Sequence, residues 1–154
     1  MQYLQIPKLH FKDLELHQFD CVIDVRAPSE FAEDHIVGSI NLPVLSDAER
    51  VLVGTTYKQE SRFKARKIGA AFIAKNSAHY LETELFKKER GWRPLIYCWR
   101  GGQRSSSFAT ILSEIGWRPT LLAGGYKSYR NEVTQLLHKT KPLYQFILIS
   151  GHTG

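Results

Sequence analysis

Residues 95 to 115 constrain the fold of this chain more than any other stretch. Leu95, Ile96 and Tyr97 form an apolar run that ends on Cys98. A loop follows, Trp99-Arg100-Gly101-Gly102-Gln103-Arg104. Then Phe108, Ile111, Leu112 and Ile115 recur at the i, i+3, i+4, i+7 spacing of an amphipathic helix. The order is strand, loop, helix. Other short apolar runs, at 21–25, 39–42 and 120–123, alternate with helix-like patterns near 29–34, 59–90, 105–115 and 126–138. Such alternation predicts an α/β domain with a mostly parallel central sheet and helices on both faces. Ligands of such sheets gather at the carboxyl ends of strands. Asp24, Arg26, Cys98 and Gly124-Gly125 are therefore expected at one edge, and Asn76-Ser77 is expected to divide the 59–90 segment into two helices.

A cysteine between a strand and a helix faces unpaired N–H groups and the positive end of the helix dipole, where an anion is favoured. Cys98 is expected to be a thiolate at neutral pH, and hence a nucleophile. Gly101 and Gly102 let the backbone approach a ligand. Arg100 and Arg104 are expected to lack protein partners, so that an anion compensates them. Ser105 is expected to cap the helix. The loop residues Trp99, Arg100, Gly101, Gly102, Gln103, Arg104 and Ser105 are the candidate anion site. A buried structural cysteine is the plainer account of the same position.

The 154 residues suit one domain with a sizeable core. No apolar run reaches the roughly 18 residues of a membrane span, and residues 1–20 hold no continuous apolar segment of the secretory kind. Neither membrane association nor a metal site is expected. Two cysteines make no disulfide framework. On parallel strands Cys21 and Cys98 would lie at opposite sheet edges, roughly 15 Å apart. A reduced, cytoplasmic setting fits, with Cys21 as a small core residue. The formal charge of +6 favours polyanionic partners, nucleic acid first. Lys58, Arg62, Lys64, Arg66 and Lys67 fall within ten positions against Glu60 alone, as either a solvated helix face or a set of RNA-phosphate contacts.

Five residues separate Cys98 from Arg104. That spacing is shared by cysteine-dependent phosphatases, whose loop wraps a phosphoryl group, and by sulfur-transferring rhodaneses, whose loop is usually one residue shorter. A phosphatase also needs a general acid, for which Asp24 and Glu30 are the candidates. A non-catalytic RNA-docking module is the third reading.

The segments Asp24-Val25-Arg26-Ala27-Pro28-Ser29-Glu30-Phe31 and His35-Ile36-Val37-Gly38-Ser39-Ile40-Asn41-Leu42-Pro43 resemble the signature of rhodanese-like domains. More narrowly, the chain resembles the tRNA 2-selenouridine synthase family. The resemblance rests on the segments at 45–50, 53–55, 57–59 and 65–67, on Tyr97-Cys98-Trp99-Arg100-Gly101-Gly102 and on Gly124-Gly125-Tyr126-Lys127. It implies a transferase that replaces sulfur by selenium on a wobble 2-thiouridine of tRNA through a geranylated intermediate. Selenophosphate and geranyl diphosphate are the implied small substrates, and the fragment needs no cofactor of its own. Cys98 would attack selenium, release phosphate and hold a perselenide, with Arg100, Arg104 and the loop amides on the anion. Asp24 and Arg26 would pair to prop the loop. The resemblance also implies a rhodanese-like domain over 1–140 and, over 141–154, a linker and the start of a P-loop domain. Tyr144 to Ser150 then reads as a buried strand, with Gly151 and Gly154 in the first half of a Walker A loop.

Overall fold

The computed structural model describes residues 6–139 together with 147, 150 and 151. Five strands form one sheet: β1 (Lys8–Leu9), β2 (Cys21–Asp24), β3 (Ile40–Asn41), β4 (Pro94–Tyr97) and β5 (Thr120–Leu122). Their spatial order is β1-β5-β4-β2-β3, and every pairing is parallel. The helices are α1 (Pro28–Glu33), α2 (Asp47–Gln59), α3 (Arg62–Glu82), α4 (Gln103–Glu114) and α5 (Gly125–Lys139). Strand side chains alternate between the two faces. Ile23 and Ile96 pack with Ile73 of α3 and with Phe108 and Leu112 of α4. Val22, Leu95, Tyr97 and Leu122 pack on the other face, with Tyr126 and Tyr129 of α5 and Phe11. Both faces are covered, as the alternation of patterns predicts.

The register aligns the strand ends. Asp24 lies beside Tyr97 and Leu95 beside Thr120, so the loops after β2, β4 and β5 emerge together. Cys21 is paired with Pro94, four residues before Cys98, so the two free cysteines lie far apart along the sheet. Burial pushes the Cys21 thiol up to about 11, which keeps it protonated and inert.

One local expectation gives way, and two elements appear that the periodicity does not mark. First, α3 runs unbroken through Asn76 and Ser77. Asn76 Nδ2 donates to Val44 O at 3.0 Å and to Glu49 at 2.9 Å, and Ser77 Oγ donates to Ile73 O at 2.6 Å, so both polar side chains are satisfied inside the helix. The division falls at Glu60-Ser61 instead, where Ser61 Oγ accepts Lys64 N–H to start α3. Second, α2 is a separate helix opened by a capping box: Ser46 Oγ accepts Glu49 N–H and Glu49 accepts Ser46 N–H. Third, β1 is a two-residue edge strand, too short for a periodic signal. Among the residues of the expected C-terminal strand and glycine turn, Ile147 is 88 % exposed and, like Gly151, lies in no helix or strand; Gly154 falls outside the described residues.

Candidate functional site

At the carboxyl edge, Cys98 follows β4 and α4 opens five residues later. The N-cap of α4 is Gly102 rather than Ser105, because the extended backbone at Gly102 lets Gln103 begin the helix. Ser105 therefore lies in the first turn, and its hydroxyl has a different use. Gly102 N–H donates to Cys98 Sγ at 3.2 Å, and Ser105 Oγ lies 3.2 Å from the same sulfur while bonding Gly102 O at 3.1 Å. As a thiol, Cys98 can donate to Ser105 Oγ. As a thiolate it accepts the Gly102 N–H, and Ser105 can turn its one hydroxyl hydrogen from Gly102 O to the sulfur, at the positive end of a 12-residue helix. Cys98 itself is 3 % exposed, behind a rim of exposed Arg100, Gly102 and Gln103.

The loop is held from behind by the turn after β5. Tyr126 N–H donates to Cys98 O at 2.9 Å, and Lys127 N–H donates to Trp99 O at 3.0 Å. Gly125 sits at φ +60°, where a Cβ would lie 2.6 Å from Gly101 N and 2.9 Å from Arg100 N. Only glycine permits this approach, which gives the Gly-Gly-Tyr-Lys segment its physical meaning.

The Asp24–Arg26 pair forms as expected. Arg26 Nε and Nη2 donate to Asp24 Oδ2 at 2.9 and 2.7 Å, and Arg26 N–H adds a bond to Oδ1 at 2.8 Å. The two side chains are 1 % and 0 % exposed. The guanidinium lies 4.0 Å from the Tyr126 ring centroid and 5.9 Å from that of Trp99, so it supports the back of the loop through aromatic faces. Asn41 Nδ2 donates to the carbonyls of Asp24 and Arg26, both at 3.0 Å, and Tyr126 donates its hydroxyl to Asp34. Burial, reinforced by that bond and the Asp34 charge, pushes the Tyr126 phenol up to about 12, so it remains a donor through neutral pH. Asp34 carries no motif that sequence reasoning can isolate, and Asn41 is visible only as one residue of the His35–Pro43 signature. Tyr126 was visible within Gly-Gly-Tyr-Lys, though not its contact with Arg26.

Arg104 departs from expectation. Rather than lacking a protein partner, it forms a fork with Glu30 of α1, Nη1 to Oε2 at 2.6 Å and Nη2 to Oε1 at 3.3 Å. The fork forms because α1, which starts immediately after the β2 loop, brings Glu30 beside the first turn of α4. Burial alone would push the Glu30 carboxyl up. The Arg104 bond and charge, the Ala27 N–H and Arg50 outweigh it and hold the carboxyl below its ordinary 4.5. Glu30 is thus held as an anion and Asp24 spends both oxygens on Arg26, so neither candidate acid is poised to protonate a leaving group. Arg100, by contrast, is exposed and makes no side-chain hydrogen bond or ion pair among the described residues.

Lys58 on α2 and Arg62, Lys64, Arg66 and Lys67 on α3 are all exposed, and Lys64 pairs with Glu60. Arg66 lines a pocket of about 230 Å³ whose wall includes Gln103 and Arg104, so one of the five reaches the neighbourhood of the cysteine loop. No described helix is long and apolar enough to cross a membrane.

Comparison with known proteins agrees with this geometry. Curated relatives named tRNA 2-selenouridine synthase include those of Bdellovibrio bacteriovorus, 37 % identical over 86 % of this chain and 35 % of the relative, and Shewanella denitrificans, 36 % identical over 97 % and 41 %. The chain thus spans well under half the length of these relatives. Among solved structures, the N-terminal domain of a Clostridium difficile 630 protein named for ATP/GTP binding matches at 35 % identity, with a TM-score of 0.69 over 84 % of this chain and 98 % of that one. The family model of the rhodanese-like domain matches residues 9–132, from the end of β1 into α5 and across the whole cysteine edge. With its parallel sheet, its cysteine loop and that match in agreement, the chain belongs to the rhodanese-like domain family.

Proposed function

We propose that this chain is the chalcogen-carrying domain of a tRNA-modifying transferase that converts wobble 2-thiouridine to 2-selenouridine. Selenophosphate supplies the selenium, and a geranylated intermediate made from geranyl diphosphate precedes exchange. The names of the relatives support the substrate class. The observation that carries the reading is the sulfur of Cys98 held between Gly102 N–H and the Ser105 hydroxyl at the start of α4. The Gly102 N–H, and the Ser105 hydroxyl once it turns from Gly102 O, suit the anion of a persulfide or perselenide. Arg100 supplies an uncommitted cation at the rim, and Arg104, oriented by Glu30, supplies a second guanidinium whose charge is already partly offset. The domain works in the cytoplasm beside a P-loop domain that begins after residue 140 and to which Gly151 and Gly154 belong. The solved relative, an N-terminal domain of a protein named for ATP/GTP binding, supports that arrangement.

Electron counting limits how selenium is taken up. If the Cys98 thiolate attacks selenium, the Se–P bond breaks with its electron pair left on phosphorus, and the product is phosphite. Phosphate can be released only if selenium moves as the nucleophile and water cleaves the Se–P bond, with the loop acting as an anion cradle. A thiosulfate-type donor balances directly: the sulfur–sulfur bond breaks, sulfite leaves with the pair, and Cys98 keeps a persulfide.

Mass spectrometry of the chain after exposure to selenophosphate or thiosulfate, together with assay of phosphite and phosphate, tests this. A selenium or sulfur adduct on Cys98 that is absent in Cys98→Ser is expected. A chain that acquires no adduct from either donor overturns the carrier role, and phosphate without an adduct reassigns the loop to anion binding.

A further inference from the structure

The α2–α3 face carries more than cations. Tyr57 and Phe63 are 49 % and 69 % exposed, so each leaves ring area open to a partner. Each has a cation beside it: Arg62 lies 5.5 Å from the Tyr57 ring centroid and Lys67 lies 5.1 Å from that of Phe63. A ring with a cation on one side and exposed area remaining is how proteins stack an unpaired nucleobase while holding its phosphates. Along α3, Arg62, Arg66 and Gly69 recur at i, i+4, i+7, and Phe63 and Lys67 form the adjacent stripe. Arg62 lies beside Tyr57 of α2, and Arg66 and Gly69 share one pocket with Val53 and Tyr57. Tyr57 and Arg66 also line the 230 Å³ pocket that ends at Gln103 and Arg104, next in the chain to the Gly102 amide on Cys98 Sγ. Its floor is apolar, with Leu45 and Val53, and its rim is aromatic and cationic. At that size it suits a single ring system rather than an extended ligand.

We propose that this face binds a single-stranded, unstacked segment of RNA, with one base on Tyr57 at the mouth of the pocket and its neighbour on Phe63. Arg62, Arg66 and Lys67 take the intervening phosphates. This rests on the reading that the substrate is RNA and adds which residues present it. Complementary charge selects the partner: five exposed cations face outward against the one paired Glu60. The face delivers an extruded nucleoside along the pocket toward the cysteine loop.

The test is fluorescence anisotropy of the 154-residue chain with a single-stranded RNA oligonucleotide and a duplex of equal phosphate count, over a salt series. The single strand should bind more tightly. Tyr57→Ala and Phe63→Ala should each weaken it about 5- to 150-fold, the ~1–3 kcal/mol of one base–aromatic stack, and Tyr57→Phe should restore binding. Arg66→Ala should shallow the salt slope by about one phosphate contact. Both rings are exposed, so the thermal midpoint should hold, and a chain that keeps it while binding strand and duplex alike overturns the proposal. Wild-type affinity in both alanine variants overturns it too. Adduct formation on Cys98 in the same variants separates the two claims. An adduct with RNA binding indifferent to the aromatics sinks this inference alone. Aromatic-dependent binding without any adduct sinks the carrier role alone.

Discussion

Arg26 and Arg104 stand at the same edge of the sheet and do different work. Arg26 is 1 % exposed and its Nε and Nη2 donors are spent on Asp24 and on Asp34 O, with Tyr126 against its face. Arg104 is 15 % exposed and holds one carboxylate, Glu30, beside an open pocket. A buried guanidinium whose carboxylate partner the fold supplies is scaffold, since moving it would strand charge in a low-dielectric interior. A guanidinium at a rim can exchange partners at little cost. Charge alone does not separate the two; burial and partner count do.

The largest effect should come from the scaffold side. Asp24→Ala leaves Arg26 buried without its carboxylate and should cost about 3–5 kcal/mol in denaturant unfolding. If the joint replacement of Asp24 and Arg26 by Leu and Met costs as much as Asp24→Ala alone, the stranded-charge account fails. Next is Gly125→Ala, which forces a Cβ toward the amides of Gly101 and Arg100 at a positive φ. A loss of about 1–3 kcal/mol is expected, along with slower alkylation of Cys98 by iodoacetamide. Unchanged alkylation would mean that the turn does not shape the loop.

Glu30→Gln should cost only about 1 kcal/mol, because the pair is partly solvated. Its signature is the pH dependence. The folded carboxyl titrates below 4.5, so its contribution to stability is full above that value and fades as pH falls through the lower folded value. Glu30→Gln should therefore differ most from wild type near neutrality and converge with it in acid. A gap that is constant with pH would break the assignment. Smallest in stability is Arg100→Ala, expected to leave the unfolding midpoint within about 0.5 kcal/mol while raising the thiosulfate concentration needed for half-maximal Cys98 loading. Unaltered loading would remove Arg100 from the anion site.

Much of the architecture is legible in the sequence alone. Strand order in the chain, two-sided burial and the gathering of Asp24, Arg26 and Cys98 all follow from short apolar runs separated by helical periods. The misses have local causes. Asn76-Ser77 looks like a helix breaker until each side chain finds an acceptor, and one of those acceptors lies 32 residues away at Val44. Ser105 looks like a cap because serine caps helices well, but an extended glycine three residues earlier took that place and freed the hydroxyl for sulfur.

The chain by itself carried the segments by which it resembles the rhodanese-like family, and it placed Cys98 at a strand–loop–helix junction with Asp24 and Arg26 at the same sheet edge, because each of these lies in contiguous residues. Tertiary structure decided which cations are already satisfied, that Gly125 must admit the loop backbone, and that Tyr57 and Arg66 share a pocket with Arg104. Those outcomes depend on which side chains distant segments bring within about 3 Å, a distance at which hydrogen bonds form and which no one-dimensional pattern encodes.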